Sequence, residues 1–394
     1  MKKRIYFFMT SIFVLLITFF NCQQSGISSG RGGGGGGGGS DSHPGNIWTK
    51  LLGVAGAQTN ALGITSDSST NVYTTGYTFG DLDGQTLTGG RDLFVVKYDS
   101  NGNKQWTRLL GVAGADTEAN NITSDSSGNV YTTGYTKGNL DGQTLTGTQD
   151  LFVVKYDANG NKFWTRLLGV AGAQTNALGI TSDLSANIYT TGYTNGNLDG
   201  QTKTGNYDLF VVKYDSNGNK LWTRLLGVTG VNTAANGITS DSNANVYTTG
   251  YTFGDLDGQT LTGGRDLFVV KYDSNGIKQW TKLLGVAWAE TVANGITSDS
   301  SANVYTTGYT DGNLDGQTKT GTQDLFVVKY DSNGNKLWTR LLGDAGADTL
   351  AHGITSDSTG NVYTTGFTNG NLDGQTLTGV DDLFIVKYNS NGVN

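Results

Sequence analysis

The stretch WTRLLGVAGADTEANNITSDSSGNVYTTGYTKGNLDGQTLTGTQDLFVVKYDANGNKF, Trp106 to Phe163, decides the architecture. Its leading tryptophan recurs at Trp48, Trp106, Trp164, Trp222, Trp280 and Trp338, each 58 residues from the last. No insertion or deletion breaks that spacing, so six units fill Trp48 to Asn394. A fixed period of this length signals a repeat architecture. Within one unit four short strands are expected: Asn121–Asp125, Asn129–Thr136, Asp150–Asp157 and Lys162–Leu168. The second and third are rich in β-branched and aromatic residues, which suit a pleated, half-buried surface. Asp125-Ser126-Ser127-Gly128-Asn129 and Asp157-Ala158-Asn159-Gly160-Asn161 read as tight hairpins, because Asp and Asn bond back to the backbone and Gly accepts positive φ. The other two connections, Gly138–Gln149 and Gly169–Ala177, are longer. No helical period runs through the unit.

A sheet of four antiparallel strands with both faces apolar must press each face on a copy of itself. Radial stacking about an axis does this, and the expected fold is an all-β, six-bladed β-propeller with four-stranded blades. Where the chain is cut suggests how the ring closes. Trp48–Leu52 is a fourth-type strand with no preceding three, and the last unit stops after a third-type strand, Asp382–Asn389. Pairing the two would close the ring and remove two sticky edges.

The elements Asp125 to Thr136, Asp150 to Gly160 and Trp164 to Gly169, with their five sets of counterparts, resemble the bacterial β-propeller repeat known as SBBP. The resemblance covers nearly all of the chain beyond Trp48. It implies the propeller fold and an extracytoplasmic setting. The family name implies seven blades where this chain has six units, and it implies no particular reaction.

The chain has 394 residues, with 61 Gly, one Pro, one Cys and two His. One cysteine excludes an internal disulfide framework and any multi-cysteine metal centre. Residues 1–21 are expected to be an export signal: Lys2, Lys3 and Arg4 precede the apolar run Ile5–Phe20, which is short for a membrane span. Cys22 follows, and the segment resembles a bacterial lipoprotein signal of the loose kind seen in spirochaetes, which implies lipidation of Cys22. Residues 22–47, with Gly32–Gly39 unbroken, read as a flexible tether, and 48–394 as the propeller. Loss of the signal leaves 23 of the 26 basic residues against 33 acidic ones, a net charge near −10. An acidic body has no electrostatic footprint for nucleic acid. The membrane partner would be reached through the lipid.

The six tryptophans suit packing between blades, each with an indole N–H to satisfy. Lys97, Lys155, Lys213, Lys271, Lys329 and Lys387 sit in apolar strands and need a carbonyl or carboxylate partner, or a stem that snorkels to solvent. Gly76, Gly134 and their counterparts lie mid-strand, where a bulge or close approach is expected. If the long connections share one rim, Asp83, Asp141, Asp199, Asp257, Asp315 and Asp373 would line it as a contact face for a protein or glycan. Trp288, standing where Gly56, Gly114, Gly172, Gly230 and Gly346 stand elsewhere, is an anchor candidate on the same side. Calcium takes ~6–8 oxygens, more than these loops offer, so no metal ligand set is assigned. His352 takes a place held elsewhere by Leu or Asn and reads as drift.

No unit departs enough from the others to house a unique catalytic centre, and no catalytic residue or cofactor is assigned. The expectation is a lipid-anchored, non-enzymatic binding or structural module of the cell envelope, in the outer membrane. Two alternatives stay open: an enzyme or quinone-cofactor propeller, and a calcium-stabilised adhesin.

Overall fold

The computed structural model describes residues 48–394, so the signal and tether expected at 1–47 lie outside the described residues. Six antiparallel sheets follow one another as the blades of a β-propeller. In blade 1 the strands are Thr59–Ser66, Val72–Thr78, Asp92–Tyr98 and Lys104–Leu110, paired in chain order. The pattern repeats in the later blades. The first strand is longer than its sequence suggested: in blade 2 it runs Thr117–Ser124 rather than from Asn121. Its polar opening residues pair because Thr117 and Thr136 share a hydroxyl–hydroxyl bond of 3.0 Å across the ladder.

The mid-strand glycines have the steric role expected of them. Opposite Gly134 the first strand bulges between Ala119 and Asn121. A Cβ on Gly134 would stand 1.9 Å from the Glu118 carbonyl oxygen, so no side chain fits.

Each junction between blades is an apolar sandwich. Between blades 2 and 3, Tyr131, Leu151 and Val153 meet Ala177, Ile180, Ile188, Phe210 and Val212, with Trp164 packed at the edge. Burying such side chains contributes about 1.5–3 kcal/mol each. The other four junctions, from blades 1 and 2 to blades 5 and 6, repeat this layer, and each first strand packs on the next around the axis.

Polar clasps lock the sandwich. Trp106 Nε1 and Lys97 Nζ both donate to the Ala158 carbonyl in the next blade's hairpin, at 3.1 and 2.8 Å. Arg108 Nε donates to Gly160 O at 2.7 Å. The tryptophan–lysine pair recurs on Ser216, Ser274, Ser332 and Ser390. Five of the six lysines thus end on carbonyls, one of the partners open from the sequence. Lys97 also lies 5.3 Å from the Tyr73 ring centroid. Hairpin aspartates are spent on their own turns: Asp125 accepts from the Ser127 and Asn129 N–H groups, the Asn129 amide and the Tyr131 hydroxyl.

The expected closing pair is not formed. The last sheet has three strands, Thr349–Ser356, Val362–Thr368 and Asp382–Tyr388, and Trp48–Leu52 joins no ladder. Trp48, Leu52 and Val54 instead pack on blade 1 against Leu82, Phe94, Val96 and Tyr98. The reason lies in the side chains. The Trp48 indole donates to the Ser100 carbonyl at 3.1 Å and its ring sits 5.8 Å from Tyr98, as Trp106 does to blade 2. This grip on the following blade forms without a preceding one. No packing comparable to the five junctions joins the first strand of blade 6 to that of blade 1.

Candidate functional site

The strand directions put the two long connections of every blade at one end and the tight hairpins at the other. The connection after the second strand does not stay on that rim. In blade 1 it carries Leu82, fully buried against Phe94, Val96 and Tyr98, and this anchor folds the loop back along the blade. Asp83 follows at φ +54, a left-handed position that Asp tolerates. Its carboxylate pairs with Lys104 Nζ and accepts the Thr107 hydroxyl at 2.6 Å. The Lys104 and Thr107 interactions hold it well below the usual carboxylate range, against the opposing effect of partial burial, which is the largest single influence.

Asp141, Asp199, Asp257 and Asp315 repeat the arrangement with Lys162 and Thr165, Lys220 and Thr223, Lys278 and Thr281, and Lys336 and Thr339. The five aspartates expected on a contact rim are therefore latches between a folded-back loop and the fourth strand of the same blade. Asp373 differs. Among the described residues its blade has three strands, and its carboxylate has only the Asn394 amide, at 3.5 Å. A cavity of about 520 Å³ runs beside the last strand, lined by Leu372, Asp373, Phe384, Val386 and neighbours. It occupies the place where other blades hold their fourth strand.

Trp288 is where the sequence put it, on the connection from blade 4 to blade 5. It is fully exposed, at 101% of reference, and holds φ +67 where its five counterparts are glycine. A bulky side chain at that φ costs roughly 1–2 kcal/mol. Two residues on, Glu290 pairs with Arg265, whose guanidinium lies 5.5 and 5.4 Å from the Tyr251 and Phe253 ring centroids. The Glu290 N–H donates to Asp311. This rim segment combines an indole, a cation over aromatic rings and two carboxylates.

The axial cavity is the feature that sequence reasoning missed. It measures about 800 Å³ and is walled by the first strands, with Leu62, Asn236, Asn294 and His352 at equivalent places. Asn236 and Asn294 donate to the Ala293 and Ala351 carbonyls of the next blade. His352 stacks on Phe367 at 5.7 Å, and desolvation of its imidazole lowers its pKa. The available signal was variation: this column reads Leu, Asn, Leu, Asn, Asn, His while its neighbours hardly change. Among the described residues no group of three His, Cys, Asp or Glu side chains is placed to hold a metal ion.

Fold and site together define a repeat propeller whose recurring polar groups are used between and within blades. The model of the SBBP β-propeller repeat matches residues 47–83, 105–141, 164–199, 221–257, 279–315 and 337–373, and the chain belongs to that family. It is 27% identical over 333 residues to an uncharacterised WD repeat-containing protein, L264, of Acanthamoeba polyphaga mimivirus, covering 62% of this chain and 24% of that protein. It is 26% identical over 361 residues to the regulatory protein FlaEY of Caulobacter vibrioides, covering 78% of this chain and 36% of that one. The chain thus spans about a quarter to a third of these curated relatives. Among solved structures, a Bacteroides caccae protein of unknown function aligns at TM-score 0.43 and 10% identity, over 76% of this chain and 87% of that one. The Dos1 propeller aligns at TM-score 0.37 and 12% identity, over 77% and 66%.

Proposed function

We propose that this β-propeller is a non-enzymatic binding or structural module of the cell envelope, exported and held at the outer membrane through lipidated Cys22. The observation that supports it most is the repetition of the clasps. Trp, Lys and Asp side chains make the same bonds blade after blade, which assigns them to the scaffold. The axial column and the rim are among the places where the repeats differ. Recognition on such a scaffold falls to those positions, with the strained, exposed Trp288 as its anchor for a protein or glycan. Several shifts recur with the repeat, as with Tyr156, Tyr214, Tyr272 and Tyr330, each pushed up by burial, which ties them to the scaffold.

The test is a screen of the full chain carrying Cys22→Ser against glycans and envelope or host proteins, with and without calcium. A ligand whose binding drops on Trp288→Gly supports the reading. Turnover of a substrate, or quinone absorbance beyond 320 nm, goes against it. Lipidation is checked separately by metabolic labelling with a fatty-acid analogue, which Cys22→Ser abolishes if the assignment is right.

A further inference from the structure

The clasps between blades are alike except at one junction. At four of the five apolar junctions an arginine of the fourth strand closes on the outer hairpin of the next blade. Arg108, Arg166, Arg224 and Arg340 donate through Nε to the carbonyls of Gly160, Gly218, Gly276 and Gly392, at 2.7, 2.7, 2.7 and 2.5 Å. Their Nη2 groups reach the carbonyls of Asn159, Asn217, Asn275 and Asn391. Each guanidinium also lies 5.4 or 5.5 Å from the ring centroid of the tryptophan two residues before it. Charge-assisted bonds and cations over indoles are the strong members of such a clasp.

Between blades 4 and 5 the same position is Lys282. Its stem reaches the hairpin, since a Cβ on Gly334 would stand 2.8 Å from Lys282 Cε. Among the described residues Lys282 Nζ makes no hydrogen bond or ion pair, where the Arg224 guanidinium makes three bonds. The rest of the junction is intact. Trp280 and Lys271 both donate to the Ser332 carbonyl, Asn236 donates to the Ala293 carbonyl, and Arg265 pairs with Glu290 on the rim. The loss is confined to the end of the fourth strand beyond Trp280. That end runs straight into the connection that carries Trp288 at φ +67.

We infer that Lys282–Trp288 is a strap that opens from the propeller body more readily than its counterparts and carries the exposed indole with it. Its two ends are fixed. Trp280 is bonded to Ser332 before it, and the Ala289 carbonyl accepts the Gly264 N–H at 2.7 Å after it. Between those points the strap keeps its ladder to Leu267–Val269 and the packing of Leu283 and Leu284, but lacks the clasp. Local opening takes place where such restraints are fewest. Opening also relaxes the left-handed backbone at Trp288, a strain that glycine at Gly56, Gly114, Gly172, Gly230 and Gly346 does not carry. The inference rests on the bonds between blades and is independent of what Trp288 recognises.

The test is hydrogen exchange of the full chain carrying Cys22→Ser, read by mass spectrometry. Lys278–Trp288 is compared with Lys104–Gly114, Lys162–Gly172 and Lys220–Gly230, each against its intrinsic rate. The strap should exchange at least about tenfold faster than the other three. Lys282→Arg should remove the difference, and Arg224→Lys should move fast exchange to Lys220–Gly230. Trp288→Gly, which relieves the backbone but restores no clasp, should leave the strap the fastest of the four. Equal exchange in the four segments overturns the inference, as does a Lys282→Arg variant that exchanges like the parent. Chymotryptic cutting after Trp288 should slow by a similar factor in Lys282→Arg, and unchanged cutting would separate the indole from the strap and overturn it equally.

Discussion

Replacing Asp199 and Asp373 by Ala, one at a time, should separate two residues that the repeat makes equivalent. Asp199 accepts the Thr223 hydroxyl at 2.7 Å and pairs with Lys220. Thr223 is only 3% exposed, so its hydroxyl would be left unsatisfied, at about 1–3 kcal/mol. The Lys220 side chain is 32% exposed, so that pair adds only ~0.2–1 kcal/mol. Alanine at φ +53 adds some backbone cost, which Asn would avoid. The expected destabilisation is about 2–4 kcal/mol for Asp199→Ala and roughly 1 kcal/mol for Asp199→Asn. Asp373 has only the 3.5 Å contact to Asn394, so the monomer should lose less than about 0.5 kcal/mol on Asp373→Ala. Urea titrations followed by tryptophan fluorescence, run on dilute protein, measure both. Equal losses at the two positions would refute the reasoning, because they would show that blade 6 holds a fourth strand after all.

Gly192→Ala should destabilise by roughly 3 kcal/mol or more, since its Cβ would stand 1.9 Å from the Asn176 carbonyl oxygen; loss of soluble yield or a large fall in the urea midpoint checks it. Trp288→Gly should raise stability by about 1 kcal/mol by relieving the left-handed backbone, measured by the same titration, and a decrease would remove strain as an argument for function. Stability should hold from pH 8 to 5 and fall below about pH 4. Asp67, Asp83, Asp157 and Asp299 have lowered pKa values through hydrogen bonds and ion pairs that outweigh burial. Their contribution is present above the unfolded carboxylate pKa and is lost as pH drops through the folded one. Melting curves across that range test the sign, and greater stability at pH 3 than at pH 6 would reverse it.

The sequence carried the blades well because every cue was local and repeated. Asp–x–x–Gly hairpins fixed turns, alternation fixed faces, and a lysine within an apolar strand called for a polar partner or a path to solvent. The misreadings share a cause in contacts that are distant along the chain. Leu82 looks like an ordinary loop residue until Phe94, Val96 and Tyr98 supply a pocket, and that burial carries Asp83 away from the rim. The position of Trp48 was likewise decided by Ser100 and Tyr98, 52 and 50 residues away, and not by the strand it seemed to lack. The axial column was visible only as variation, and no local pattern says which side of a strand faces an axis.

The clasp of Trp106 and Lys97 on the Ala158 carbonyl has a genetic corollary. Because every blade offers the same grip and the same handle, any unit can follow any other. Slippage between near-identical stretches of coding DNA could then drop or add a whole 58-residue unit without creating an unmatched neighbour. Blade number in such a lineage would be governed by how far the arc can bend, and populations carrying shorter and longer alleles should both yield folded protein.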